Sequence, residues 1–368
     1  MKKVAAIITE FRHNSHAEVI VGRMLGELGY HSSVKVVSMY TDQVPDNDMS
    51  RLMAEKHGFV ICGTIEEAVT FGAPDDPVDG IVIIGEHGDY PWNEKNQRLY
   101  PRRRLLEQTL QAMDKVNLRV PIFCDKHFSY DNDDAMWMFH QIQQRNLPFL
   151  GGSSVPYTLS LLSYDLEVLH APSEIFVISF GGTESYGFHG MEVLQSVAEQ
   201  RKGGETGVES VEALSGDEMW EAMDAGVWPE YLLLHGLSVH DGERRAHPRD
   251  HCKEPVLFLV NYKDGTKGYV AQLEDYVKGW SCTIKNDAGD INSAWCNMDK
   301  GRPHRHFSTL TNLIERMIYT GKSAAPMERT LFTTIMINSG MEALYQKKKI
   351  CTPELDRTYS RQGTLSLK

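Results

Sequence analysis

Three short stretches of the 368-residue chain bring carboxylates and imidazoles close together: Thr9-Glu10-Phe11-Arg12-His13-Asn14-Ser15-His16, Glu86-His87-Gly88-Asp89-Tyr90 and Asp125-Lys126-His127. Each lies at the end of an apolar run of strand length, at residues 4–9, 80–85 and 120–125. In a doubly wound sheet, ligands bind outside the carboxyl ends of the strands, where the strand order reverses. Three separate loops thus deliver acids and imidazoles to one edge, where mere contact with solvent would be served as well by Asn, Ser or Gly. Taken singly, each histidine reads as a hydrogen-bonded loop residue. Taken together, Glu10, His13, Glu86, His87, Asp125 and His127, with His16 beside them, offer mixed nitrogen and oxygen donors suited to Zn2+, Mn2+ or Fe2+. No spacing among them is diagnostic in the way that H-E-x-x-H is. Lys126, flanked by two such residues, suits a substrate-binding cation or, with its pKa lowered, a general acid or base.

The second half adds Tyr186-Gly187-Phe188-His189-Gly190-Met191-Glu192. His189 and Glu192 stand at i and i+3, so on a helix they share a face and can ligate together or pair as base and orienter. The plainer reading is a helix N-terminus with a buried histidine. Downstream, Gly203-Gly204-Glu205-Thr206-Gly207 reads as a tight loop. A dinucleotide site asks for G-x-G-x-x-G after the first strand, because glycines let the backbone approach a pyrophosphate at the helix N-terminus. Phe11, Arg12 and His13 occupy that turn instead. Arg12 remains a phosphate-binding candidate, and Asp42, near the end of the second strand, stands where a ribose-binding acid is expected.

The elements that must position these residues alternate through the first 150 residues as βα units around a parallel sheet. Strands are expected at 4–9, 34–38, 60–62, 80–85 and 120–125. Helices are expected at 15–28, 49–57, from Thr64 with a Glu67 capping box, 101–116 and 133–146. The pattern changes at Gly151-Gly152-Ser153-Ser154. Beyond it, strands are expected at 174–180, 256–262, 268–273 and 280–284, with Asp264-Gly265 as a hairpin turn. Helices follow at 189–201, 309–319 and 328–345. The reading is an α/β chain: an N-terminal doubly wound, Rossmann-like parallel sheet (1–150), a C-terminal α+β domain on an open, mainly antiparallel sheet (151–345), and a polar surface tail (346–368).

Composition narrows the function. Apolar residues make up 41% and charged residues 24%, the balance of a folded, water-soluble protein. A formal charge of -12 repels phosphate backbones and anionic membrane surfaces, so neither nucleic acid nor membrane is an expected partner. No run approaches the length of a membrane span. The six cysteines are scattered and the start lacks the apolar stretch of a signal peptide, which fits a reduced cytoplasm.

Arranged this way, the chain resembles the Gfo/Idh/MocA family of sugar-type oxidoreductases over nearly its whole length. Asp125-Lys126-His127 stands where that family carries Glu-Lys-Pro, which implies a catalytic or substrate-positioning role for Lys126. The segment from Tyr186 to Glu192 looks like a variant of the family's Asp-x-Gly-x-His-x-x-Asp helix start, which implies His189 as the catalytic histidine. Phe307 through Glu328-Arg329-Thr330, and Thr352-Pro353-Glu354-Leu355, look like its closing helices. The sequence departs from the family at the glycine-rich loop (residues 9–16), at the Thr-Pro-Asn segment (residues 85–91) and at His127, where proline is usual. Each departure removes a feature of cofactor binding and inserts a potential ligand. The resemblance also implies a cleft between the domains and a homo-oligomer formed through the open face of the second sheet.

The leading expectation is therefore an enzyme that keeps the fold without standard nicotinamide binding. A divalent metal would polarise a small polyhydroxylated substrate while Lys126, His189 and Glu192 handle protons, giving lyase, hydrolase or isomerase chemistry. The alternative is an NAD(P)-dependent sugar or polyol oxidoreductase, in which Lys126 and His189 bind and deprotonate the reacting hydroxyl, with Asp42 on the ribose. A non-catalytic binding protein on an inherited fold is the third reading.

Overall fold

The computed structural model describes residues 1–163, 167–240, 246–299 and 301–361. Six strands form the first sheet: β1 (Lys2–Ile8), β2 (Val34–Thr41), β3 (Val60–Cys62), β4 (Gly80–Ile84), β5 (Ile122–Asp125) and β6 (Phe149–Gly152). All pairs are parallel, in the order β3-β2-β1-β4-β5-β6. The order reverses between β1 and β4, as the sequence reading required. Helices α1 (His16–Met24), α2 (Ser50–His57), α3 (Ile65–Val69), α4 (Arg102–Lys115) and α5 (Asn132–Gln144) connect the strands. β4 is buried along its whole length, which is why it reads as a continuous apolar run and not as an alternating one. The Thr64–Glu67 capping box opens α3 as expected. α1 is shorter than its apolar pattern: Ser15 caps it, and past Met24 the chain leaves the helix through Gly26 and Leu28, both with positive φ.

The second sheet contains β7 (Pro172–Ser179), β8 (Val208–Ser215), β9 (Val256–Tyr262), β10 (Lys267–Gln272), β11 (Ser281–Asn286), β12 (Ile291–Trp295) and β13 (Ile350–Cys351). Its order is β12-β11-β7-β10-β9-β8-β13, antiparallel except for the β7–β10 pair. The remaining helices are α6 (Glu167–His170), α7 (Gly187–Ala198), α8 (Asp217–Asp224), α9 (Glu230–Ser238), α10 (His306–Thr320) and α11 (Met327–Gln346). One face of this sheet packs on α7 and α11, with Phe188, Met191, Leu194, Phe332 and Ile335 against Phe258, Val260 and Val270. The other face is covered too. Met219, Trp220, Trp228, Leu232 and Leu233 of the α8–α9 region bury Phe176, Ile178, Leu257, Leu259 and Tyr269.

Two features differ from the sequence reading. α10 packs beside α1 on the first sheet, its Leu310, Leu313, Ile314 and Met317 joining Val4, Ala6, Ile8 and Ile20 in one core. The segment after Gln346 is not a surface tail throughout: Ile350–Cys351 pairs with β8, and Leu355 and Tyr359 are buried. Residues 362–368 of that tail lie outside the described residues.

Candidate active site

At the end of β4 comes Glu86, then His87 at φ +70°; at the end of β5 comes Asp125, then Lys126 at φ +67°. A non-glycine residue in this region costs roughly 1–3 kcal/mol, strain that persists chiefly where a site depends on it. Turned in this way, Lys126 is buried and its Nζ lies 2.8 Å from His189 Nε2, 3.2 Å from the Ser185 carbonyl and 3.6 Å from Glu86 Oε1. His189 sits in the first turn of α7, where Cβ vectors tilt back toward the helix start. Its Nδ1 is 2.6 Å from the Ser153 hydroxyl, just beyond β6. Burial, and then the Lys126 charge, push His189 well below the ordinary histidine range, which favours its neutral form. Tyr186 and Trp280 stack at 5.6 Å and form a wall whose Trp280 ring meets His189 edge-on at 5.7 Å.

A buried charge network stands behind this pair. Glu86 Oε2 accepts from Arg102 Nη2 at 2.7 Å, while Arg102 Nε donates to the Gly85 carbonyl and Nη1 lies 3.0 Å from His127 Nε2. The Arg102 stem passes so close to Gly85 that a Cβ there would overlap it. Burial alone would raise the Glu86 carboxyl, but Lys126 and Arg102 outweigh it and hold the group far below the carboxylate range. His127 is pushed down to about 4 by burial, with Arg102 adding to the effect. Among the described residues, three buried polar atoms near this network, His87 Nε2, His127 Nδ1 and Trp280 Nε1, have no hydrogen-bond partner, and Glu184 Oε1 has only His127 Nε2 at 3.5 Å. Buried polar groups are seldom left unpaired, and these are suited to a polar ligand.

The metal expectation is not carried by this geometry. Glu86 serves two cations, Asp125 Oδ2 accepts from His16 Nδ1 at 2.6 Å, and Glu10 pairs with Arg12. His127 faces Arg102 and Glu184, His87 Nδ1 faces Arg12, and His13 is largely exposed beside Glu18. Among the described residues no group of three or more His, Cys, Asp or Glu side chains is placed to hold a metal ion. The strand ends do share one edge, but their acids are committed to cations and imidazoles of the chain itself. Glu192 likewise does not reach Lys126. Its Oε2 accepts from the Ser153 N–H at 3.1 Å and its Oε1 from Thr333 at 2.6 Å, one layer behind His189.

The turn after β1 closes on itself. The N–H groups of Arg12 and Glu18 go to the Ser15 hydroxyl, that of Asn14 to the Glu18 carboxylate, and that of Ser15 to the Arg12 carbonyl. Arg302 clamps the same Glu18 carboxylate from outside. Four backbone donors of this turn, those of Arg12, Asn14, Ser15 and Glu18, are thus satisfied internally, and with Phe11, Arg12 and His13 in place of glycines the turn does not hold a pyrophosphate in the glycine-loop manner. Asp42, just past β2, already accepts from Tyr40, Tyr90 and Arg104.

Ser153, Arg102, Glu184 and Trp280 were not singled out from the sequence. Ser153 stood in a glycine-serine stretch read only as a boundary, and Arg102 in a helix read only as basic at its start. No local signal marks Trp280.

Neither a family model nor a curated protein matches this sequence. Solved structures do. Scyllo-inositol dehydrogenase from Lactobacillus casei superposes with a TM-score of 0.63 at 13% identity, over 95% of this chain and 98% of that one. The same enzyme with bound NAD(H) and scyllo-inositol gives 0.61 at 12%, over 95% and 99%. A myo-inositol dehydrogenase from Corynebacterium glutamicum gives 0.60 at 10%, over 95% and 98%. At such identities the likeness is one of fold, and the fold of this chain, a six-stranded parallel sheet followed by a mixed, mainly antiparallel one, is that of the Gfo/Idh/MocA dehydrogenases.

Proposed function

We propose that this protein is an oxidoreductase acting on a hydroxyl of a small polyhydroxylated, sugar-like substrate, with a nicotinamide dinucleotide as hydride acceptor. The observation that carries the reading is the buried Lys126–His189 contact at 2.8 Å, set on the edge where the first sheet reverses. Support comes also from the solved neighbours, one of which holds NAD(H) and scyllo-inositol. Nicotinamide, when bound, supplies the hydride acceptor; the residues here supply the substrate half of the reaction. The Lys126 ammonium donates to the reacting oxygen and stabilises the charge that develops there. His189 Nε2 takes the hydroxyl proton, which its lowered pKa permits at neutral pH. Glu86 offsets part of the positive charge of Lys126 and Arg102 and so lowers the cost of burying them beside the substrate. Tyr186 and Trp280 offer a flat apolar wall to the C–H face of a ring.

Titration with NADH and NADPH, followed by quenching of tryptophan fluorescence, tests the cofactor assignment. Saturable quenching by either is expected. No binding at millimolar concentrations of both would remove hydride transfer to nicotinamide from consideration, and the closed turn after β1 would be its cause.

A further inference from the structure

We infer that Ser153 is a positioning residue that fixes the proton of His189 on Nδ1 and leaves the Nε2 lone pair aimed at Lys126 and the substrate. The argument starts from donor and acceptor types. An ammonium group has three donors and no acceptor, so at 2.8 Å from Lys126 Nζ the His189 Nε2 must accept. In a neutral imidazole the other nitrogen then carries the proton. That nitrogen, Nδ1, is 2.6 Å from Ser153 Oγ, which can accept it. The same Oγ accepts from the Val155 N–H at 3.0 Å, so its two lone pairs are used by two fixed donors and the hydroxyl cannot swing away without losing both.

Ser153 is itself held. Its N–H goes to Glu192 Oε2, and Glu192 is anchored through Oε1 by Thr333 of α11. Gly152, before it, has φ +105°, and a Cβ there would overlap the Glu192 carboxylate. The end of β6 is thus built so that Glu192 grips the backbone while Ser153 grips the imidazole. A hydroxyl orients the ring without adding negative charge, so it sets the tautomer without stabilising the imidazolium as a carboxylate would.

The tautomer stands independently of the reaction, whereas its kinetic consequence rests on the reading under Proposed function. Nitrogen NMR on the full-length protein labelled in its histidine imidazoles, with His189→Gln to assign the signal, reads the tautomer directly. The expected result is a neutral His189 protonated on Nδ1, a mixed population in Ser153→Ala, where the buried Nδ1–H loses its acceptor and Lys126 alone still favours this tautomer, and the wild-type population in Ser153→Thr. In turnover, Ser153→Ala should lower kcat roughly tenfold with KM within about twofold, and Ser153→Thr should recover most of the loss. A wild-type His189 protonated on Nε2, or a Ser153→Ala protein with unchanged tautomer and kcat, would overturn the inference. If no polyol is oxidised, the NMR result still decides the role of Ser153, so failure of the reaction assignment and failure of this inference are told apart.

Discussion

Replacing Glu86 with Gln is the substitution whose cost follows most directly from the structure. The side chain keeps its size, so no cavity opens; what is lost is a carboxylate facing both Arg102 at 2.7 Å and Lys126 at 3.6 Å, all three groups being buried. Removing one partner of a buried ion pair leaves an uncompensated charge and costs about 3–5 kcal/mol. Against a total stability of about 5–15 kcal/mol, that is a large fraction. For a chain of this length unfolding as one unit, the melting temperature should fall by about 4–7 °C. The pH dependence has a definite sign. Glu86 is depressed in the folded state, so its contribution is complete above the unfolded carboxylate pKa of about 4.3 and is lost as pH falls below it. Urea unfolding of both proteins at pH near 7 and again in acid measures the gap, which should shrink as the solution is acidified. A cost under about 1 kcal/mol at neutral pH, or a gap that widens in acid, would refute the charge-balance argument.

Buried neutral histidines give a second window: His87, His127 and His306 are each pushed down to about 4, so the unfolded chain binds more protons between there and about 6.5, and stability should rise with pH across that range. Urea midpoints that are flat or falling over the same range would contradict it. Gly152→Ala should destabilise by at least about 2 kcal/mol, since it combines a positive φ with overlap on Glu192; an unchanged thermal midpoint would mean that the end of β6 yields easily. Trp228→Ala, which opens the layer between α9 and the second sheet, should cost about 3–5 kcal/mol by chemical denaturation, and a loss below about 1 kcal/mol would show that α8 and α9 cover that face only loosely.

The parallel sheet was legible because β4, β5 and β6 are buried along their whole length and the strands are bounded by glycine, proline or a capping residue. Val60–Cys62 and Val256–Tyr262 were placed to the residue, and the 80–85 run differs from β4 by one residue. β8 was missed because VESVEALS lacks the period-two alternation of a strand: buried Val208, Ser210 and Val211, with exposed Glu209 among them, give way to four half-buried residues from Glu212 on. α9 carries Tyr231, Leu234 and His235 on its outer side, so its apolar pattern is too full to mark one face. Lys126 and His189 stand out in the sequence because such residue types are uncommon at strand and helix ends, and the structure brings their side chains into contact. The pairing of Glu86 with Arg102, of Asp125 with His16 and of His189 with Ser153 was not legible there, because each joins positions from 16 to 109 residues apart, and no local pattern encodes such contacts. The metal expectation finds no support in the described residues for the same reason: composition at a sheet edge does not reveal which cations the acids already serve.

The central claim, that Lys126 and His189 together act on a substrate hydroxyl, is tested most directly by steady-state oxidation of inositols and simple sugars with NAD+ and NADP+, comparing wild type with Lys126→Met and His189→Gln. The account predicts that wild type forms reduced nicotinamide with at least one of these compounds and that each variant loses about a hundredfold or more in kcat/KM. Turnover that survives in both variants, or a wild-type protein inactive with every compound and both cofactors, would contradict it.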